Sequence, residues 1–186
     1  REEAAGLKDK ADFHKVADEL VQVRFEEMPS APVLGRDALL HELHACVRDG
    51  DVGIVGIYGM AGVGKTALLN KFNNDFLINS HDVNVAIYIE VGKDFDLNDI
   101  QRIIGDRLGV SWENRTLKER AGVLYRVLSK MNFVLLLDDV WEPLNFRMLG
   151  IPVPKHNSQS KIVLTTRIED VCDRMDVRRK LKMECL

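Results

Sequence analysis

The octet from Gly59 to Thr66 has the residue types and the spacing that bind a chain of phosphates. It reads GMAGVGKT, a complete match to the pattern G-x-x-x-x-G-K-[ST], called the P-loop below. Glycines let consecutive backbone N–H groups point at one anion, because no side chain blocks its approach. We expect Lys65 to reach the β- and γ-phosphates of a nucleotide and the hydroxyl of Thr66 to ligate Mg²⁺. The residues predicted to contact the nucleotide here are Gly59, Met60, Ala61, Gly62, Val63, Gly64, Lys65, Thr66 and Ala67.

A second candidate functional element is an apolar run that ends in two acidic residues. Residues 133–137 read FVLLL and are followed by Asp138 and Asp139. A buried parallel strand would deliver both carboxylates to its carboxyl end, where open α/β sheets bind ligands. We predict that Asp138 is a Mg²⁺ partner, directly or through water. Asp139 is the candidate for orienting or deprotonating an attacking water, and with Lys65 it forms the predicted catalytic pair.

A third element is Arg167, which follows the apolar and polar run KIVLTT at residues 161–166. A guanidinium at the carboxyl end of a strand can contact a γ-phosphate with two N–H groups and so distinguish a triphosphate from a diphosphate. From the residues alone, a surface arginine at the start of a helix is an equally good interpretation. Trp112 and Trp141 are predicted to be packing residues.

Strands and helices that alternate along the chain must position these groups. Strands are predicted near residues 54–58, 83–91, 133–137, 161–167 and 180–183, with helices near 39–47, 67–72, 96–108, 117–131 and 168–175. Gly50 is predicted to end the first of these helices in the left-handed conformation. The alternation predicts an α/β fold built on a parallel, doubly wound sheet.

Composition and charge narrow the function classes. The chain has 186 residues and a net charge of −3, so no broad basic surface for nucleic acid is expected. No apolar run is long enough to span a bilayer, and no signal-peptide pattern is present. Three widely spaced cysteines favour a reducing compartment, and we expect a cytoplasmic protein.

The chain divides near two prolines, Pro29 and Pro32, which favour an extended linker. Residues 1–28 are predicted to be a helical extension or linker, because apolar residues recur there at helical spacing. Residues 29–186 are predicted to form the nucleotide-binding domain. Since neither end shows a clear boundary, we expect the sequence to be part of a longer protein.

The order of these motifs resembles the nucleotide-binding part of plant NB-ARC immune receptors, which are intracellular nucleotide-binding leucine-rich-repeat proteins. The matching stretches are VLGRD at residues 33–37, the P-loop, LLLDDVW at residues 135–141 and KIVLTTR at residues 161–167. The resemblance implies a P-loop NTPase three-layer sandwich with a mostly parallel five-stranded sheet in STAND- or AAA-like strand order. In that order, the strand at residues 161–166 inserts between the P-loop strand and the Asp138 strand.

The resemblance also implies residue roles. Val33, Leu34, Gly35 and Arg36 match the family segment that contacts adenine, through backbone groups. Arg167 matches the family's γ-phosphate sensor. The implied function is a switch that is closed with ADP and becomes open and oligomeric with ATP and Mg²⁺, in defence signalling. The chain would end before the family's helical, winged-helix and leucine-rich-repeat regions, and a coiled coil would precede it.

Two alternatives belong to other classes. One is a P-loop ATPase or small-molecule kinase with steady turnover. It is disfavoured because no cluster of lid arginines is visible and because Asp139 is shorter than the glutamate base that motor NTPases use. The other is a scaffold with a merely structural nucleotide site, which the complete set of Lys65, Thr66, Asp138 and Asp139 disfavours. Adenine over guanine rests on the resemblance alone, and the bound nucleotide, the hydrolysis rate and the oligomeric state stay open.

Overall fold

A computed structural model describes residues 26–29, 35–79, 82–112 and 115–185. The helix predicted before residue 26 lies outside these ranges. In the described part of the chain no helix is both long and apolar enough to cross a bilayer. The elements, in chain order, are α1 (Asp37–Arg48), β1 (Ile54–Tyr58), α2 (Lys65–Asn79), β2 (Val85–Glu90), α3 (Leu97–Arg107), α4 (Leu117–Leu128), β3 (Phe133–Val140), α5 (Phe146–Leu149), β4 (Lys161–Thr166), α6 (Glu169–Arg174) and β5 (Arg179–Lys182).

The five described strands form one parallel sheet in the order β2-β3-β4-β1-β5. The predicted insertion of β4 between the P-loop strand and the acid-ended strand is confirmed. Val163 pairs with Val55 on one side and with Leu136 on the other. This order brings the carboxyl ends of β1, β4 and β3 side by side, so the three predicted phosphate-site elements meet at one edge.

Helices cover both faces of the sheet, and the three-layer sandwich is confirmed. Helices α1 and α2 pack on one face through Leu43, Leu68 and Phe72, all fully buried. The opposite face packs on α3 and α4, where Ile104 and Leu124 are also fully buried. Burial of one such leucine or isoleucine side chain contributes about 1.5–3 kcal/mol, so the two apolar layers fix the position of the sheet edge.

Local signals explain where the outer helices begin. Asp96 precedes α3 and accepts a hydrogen bond from the backbone N–H of Asn98. Thr116 and Glu119 form a capping box at the start of α4, with each side chain bound to the other residue's backbone N–H. These two helices begin within one residue of the predicted positions, although α4 ends at Leu128, three residues earlier than predicted.

The prediction for Gly50 is wrong. Helix α1 ends through Asp49 in an extended conformation, and Gly50 does not adopt a positive φ. A buried lysine binds carbonyl groups at and after the end of α1 instead. The ammonium of Lys161 donates to the carbonyls of Asp49 and Val52, each at 2.7 Å. This cation comes from β4, far along the chain, and local sequence patterns contain no sign of it.

The stretch after β3, for which no helix is predicted, contains the short helix α5. Asn145 caps its first turn by accepting from the backbone N–H of Met148, and Gly150 ends it at φ +77°. A Cβ at Gly150 would lie 2.2 Å from the carbonyl oxygen of Ala121, so the close approach of α4 requires glycine here.

Residues 26–29 lie along helix α2, the helix that begins in the P-loop. The amide of Asn74 exchanges two hydrogen bonds with the backbone of Met28, and Asn70 donates to the carbonyl of Pro29. Asn73 is buried and donates to the carbonyl of Glu26. A row of three asparagines therefore binds this segment through its backbone.

Candidate functional site

The P-loop connects β1 to α2 and has the backbone conformation that its glycines permit. Gly62 and Gly64 have φ values of +76° and +96°, which side chains disfavour. A Cβ at Gly62 would meet no atom within 4 Å, so the loop faces open space at that point. Gly59 is required for a different reason, because a Cβ there would lie 2.2 Å from the carbonyl oxygen of Met183.

Lys65 is the first residue of α2 and is only 7% exposed. Its ammonium donates to the carbonyls of Gly59 and Met60, at 2.8 and 2.7 Å, so it folds back across the loop. Burial lowers the pKa of Lys65, and the positive charge of Arg167 lowers it further, while the two aspartates after the apolar run oppose the shift. Among the described residues, no carboxylate lies within ion-pair distance of this ammonium.

Asp138 is buried near the end of β3 and lies beside polar groups of both neighbouring strands. Its Oδ1 accepts a hydrogen bond of 2.5 Å from the hydroxyl of Thr165 on β4. On the other side lies Tyr88 on β2. Burial raises the pKa of Tyr88, and the charge of Asp138 raises it further, so the phenol stays protonated.

Asp139 leaves the regular strand geometry. It has φ +54°, and the pairing of β3 with β4 shifts register between Leu137 and Val140. The hydroxyl of Thr165 accepts a 2.9 Å hydrogen bond from the backbone N–H of Asp139. One threonine hydroxyl thus connects both acids and holds Asp139 in a conformation that non-glycine residues seldom adopt.

The side chain of Asp139 contacts the predicted sensor arginine. The Nε of Arg167 donates to Oδ1 at 3.1 Å, and the Nε1 of Trp141 donates to Oδ2 at 2.9 Å. The guanidinium carbon of Arg167 lies 4.6 Å from the centroid of the Trp141 ring. The three side chains therefore contact one another, and Trp141 is not simply a packing residue as predicted.

The predicted adenine-side segment is described only in part. Val33 and Leu34 lie outside the described residues, while Gly35 has φ +68° just before α1. Arg36 contacts the P-loop through its side chain, because its Nη2 donates to the carbonyl of Val63 at 3.3 Å and also to the carbonyl of Glu184. The role predicted for this segment used backbone groups, and the side-chain contact is an additional feature.

The arrangement fits a phosphate chain. A buried cation without a carboxylate partner in the described chain, two glycines at positive φ and an exposed Thr66 hydroxyl surround open space at a helix N-terminus. No group of three or more His, Cys, Asp or Glu side chains in the described ranges could hold a metal ion. Mg²⁺ would therefore need phosphate oxygens in addition to Thr66 and Asp138, which is its usual coordination in such sites.

Sequence reasoning missed three contributors to this site: Tyr88, Thr165 and Trp141. The register between β2 and β3 pairs Tyr88 with Leu136 and Glu90 with Asp138, so Tyr88 lies two residues from the acid along the sheet. No local sequence pattern reveals this register. Thr165 and Trp141 lie within or beside the motifs already recognised. Their polarity at the end of a buried strand was the available signal.

The sheet and the glycine loop together define a P-loop nucleotide-binding fold with the strand order β2-β3-β4-β1-β5. Solved structures with this fold include Cdc6p from Pyrobaculum aerophilum, with a TM-score of 0.60 and 17% identity over 87% of this chain and 48% of that chain. A second is a STAND protein with a tetratricopeptide repeat sensor from Pyrococcus horikoshii, with a TM-score of 0.52 and 19% identity over 87% of this chain and 25% of that chain. At these identities the likeness shows the fold alone.

The chain belongs to the NB-ARC family, the nucleotide-binding domain of plant disease resistance proteins. The family model of the NB-ARC domain matches residues 36–186. Disease resistance protein SUMM2 of Arabidopsis thaliana is 40% identical over 99% of this chain, and disease resistance protein RFL1 of the same plant is 35% identical over 99%. The chain spans about a fifth of each relative, 21% of its length. The resemblance noted from the motifs is confirmed.

Proposed function

We propose that this domain is a nucleotide-dependent switch that binds ADP in a resting state and ATP in an active state, each with Mg²⁺. The observation that carries the proposal is the buried ammonium of Lys65, which has no carboxylate partner in the described chain and lies in a glycine loop at a helix N-terminus. Burying an uncompensated cation is costly, and an anionic phosphate relieves that cost.

The residues divide the work by their chemistry. Lys65 exchanges its two carbonyl contacts for phosphate oxygens, and the backbone N–H groups of Gly62 and Gly64 contribute further donors. Thr66 and Asp138 hold Mg²⁺, which neutralises phosphate charge. Thr165 keeps Asp138 oriented by donating to it.

Discrimination between the two nucleotides depends on Arg167. Its side chain is 40% exposed at the carboxyl edge, and its charge is close enough to Lys65 to lower the pKa of that lysine. A γ-phosphate adds negative charge that both cations can share, and its loss frees Arg167 for other contacts. The change in the contacts of Arg167 is the local event that would lead to rearrangement of attached segments.

Hydrolysis is slow in this proposal. The indole N–H of Trp141 donates to Oδ2 of Asp139, and this contact remains when Arg167 turns to a γ-phosphate, so one oxygen of the carboxylate stays engaged and cannot serve a water molecule freely. Steady turnover, as in a motor ATPase or a kinase, is therefore the less favoured function.

The wider context follows from the relatives. Proteins described as disease resistance proteins are similar over the whole of this chain, so we place the domain in an intracellular defence-signalling protein. Helical, winged-helix and leucine-rich-repeat regions of that protein would complete the pocket, and the ATP state would favour self-association. We also propose that residues 1–28 are an extension or linker, that residues 29–186 are the domain, and that residues 33–36 contact adenine through backbone groups.

Binding of a fluorescent ADP analogue, followed by anisotropy with unlabelled ADP and ATP as competitors, tests the proposal. Lys65→Ala should lose binding at least 100-fold, because the neutral side chain leaves the phosphates without their buried cation. Lys71→Ala is the matched control, since Lys71 lies on the same helix but its side chain is 44% exposed and paired with Asp75. Equal binding by wild type and Lys65→Ala would refute the proposal. Mg²⁺ removal by a chelator should weaken ATP more than ADP.

A further inference from the structure

Asp139, Trp141 and Arg167 form a cluster in which each side chain contacts the other two. Arg167 makes a two-point contact with Asp139, through Nε to Oδ1 at 3.1 Å and Nη2 to Oδ2 at 3.5 Å. Its guanidinium also stacks within 4.6 Å of the centre of the Trp141 ring. Each of these contacts favours the arginine side chain where it now lies.

Trp141 acts on both members of the ion pair. Its indole N–H donates to Oδ2 of Asp139 at 2.9 Å, which fixes the rotamer of that carboxylate. Its ring face attracts the guanidinium of Arg167. Trp141 is half-buried, and the backbone N–H of Asp139 donates to the hydroxyl of Thr165, so both partners of Arg167 have contacts of their own with the domain. The site that receives the guanidinium is thus built into the edge of the sheet.

We propose that Trp141 is a positioning residue which, with Asp139, holds Arg167 in a resting position that a γ-phosphate must overcome. The inference rests on the proposed function, since it concerns the same nucleotide site. In this arrangement the Asp139 carboxylate and the Trp141 ring compete with phosphate oxygens for one guanidinium. Trp141 thereby sets the preference between ATP and ADP without contacting either nucleotide.

Removal of Trp141 should favour ATP selectively. Trp141→Leu deletes the ring face and the indole donor, so we expect the ratio of ATP affinity to ADP affinity to rise about 5-fold. Trp141→Phe keeps a ring face but lacks the N–H donor, and its effect should be intermediate. Trp112→Leu is the matched control: its ring lies 5.6 Å from the guanidinium of Arg120, on a part of the domain that takes no part in the P-loop site. It should leave the ratio unchanged.

A double-mutant cycle separates positioning from a general structural effect. Arg167→Ala should weaken ATP and leave ADP nearly unchanged. When Trp141→Leu is added to Arg167→Ala, the ratio should not change further, because Trp141 acts through Arg167. A purely structural role for Trp141 would lower both affinities and would do so in either background.

Fluorescence of Trp141 gives a readout that does not depend on turnover. The chain has two tryptophans, so Trp112→Phe leaves Trp141 as the single reporter. A non-hydrolysable ATP analogue should change its emission by drawing the guanidinium off the ring, whereas ADP at saturation should change it little. Equal emission changes with both nucleotides, or an unchanged affinity ratio in Trp141→Leu, would overturn the inference while leaving the proposed function intact. If the wild-type protein bound neither ADP nor ATP, the proposed function would be overturned, and this inference with it.

Discussion

Thr165 offers a sharp test of how the acidic end of β3 is built. Its hydroxyl donates to Asp138 at 2.5 Å and accepts from the backbone N–H of Asp139 at 2.9 Å, and the residue is 1% exposed. Thr165→Val has nearly the same shape but removes both hydrogen bonds. The buried carboxylate then loses a donor, and the strained backbone of Asp139 loses the acceptor that holds it.

The magnitude follows from these two contacts. A hydrogen bond to a buried charged group contributes about 1.5–3 kcal/mol, and the unpaired N–H adds about 1 kcal/mol. Thr165→Val should therefore lower the free energy of unfolding by about 2.5–4 kcal/mol, which is about 5–16 °C in Tm for a domain of this size. Thr165→Ser keeps the hydroxyl and loses one methyl group, so it should cost about 1 kcal/mol.

Denaturant unfolding, followed by circular dichroism without nucleotide, measures the difference between the two variants. Thr166→Val is a second control, because among the described residues the Thr166 hydroxyl bonds only to the backbone of Ile168. This substitution should lower the free energy of unfolding by about 1 kcal/mol. If Thr165→Val were as stable as Thr165→Ser, the hydroxyl would not hold the two acids and the derivation of the site would be wrong.

Two further predictions concern glycines and thiols. Gly59→Ala should destabilise the protein by at least about 2 kcal/mol, because the new Cβ would lie 2.2 Å from a backbone carbonyl, whereas Gly122→Ala, in open space on α4, should stabilise it by about 0.5–1 kcal/mol. Thermal unfolding compares the two, and a shift of the same sign in both would contradict the packing argument. Iodoacetamide at pH 8 should label exposed Cys185 in the native protein but not Cys172, where burial raises the pKa of the thiol to about 11. Since the thiolate is the form that reacts, labelling of Cys172 should stay slow until the pH approaches that value. Peptide mass spectrometry reads both sites, and rapid native labelling of Cys172 would contradict its burial.

Much of the fold was predictable because its signals are local. The apolar run from Phe133 to Leu137 and the β-branched run at Lys161–Thr166 each contain the information for one buried strand. The P-loop identifies the turn between β1 and α2 in the same way. Strand order required the family resemblance, since periodicity does not say which strands are neighbours.

The features that the sequence did not predict depend on contacts between residues that are far apart along the chain. Gly50 has the local signal of a helix cap, but Lys161, more than a hundred residues later, binds the end of α1 instead. The pairing of Arg167 with Asp139 needs both the shifted register after Leu137 and the positive φ of Asp139. Neither feature can be read from spacing, so the sequence could supply candidate residues for the site but not their contacts with one another.

The most direct test of the central claim is to identify the nucleotide that the purified domain retains. Wild type, Lys65→Ala and Lys71→Ala would be denatured, and the released compounds separated by chromatography. We expect ADP from wild type and from the Lys71→Ala control, and none from Lys65→Ala, because Lys65 is the buried cation of the phosphate loop. ADP released equally from Lys65→Ala, or rapid turnover of added ATP by an empty wild-type protein, would contradict the account of a nucleotide switch.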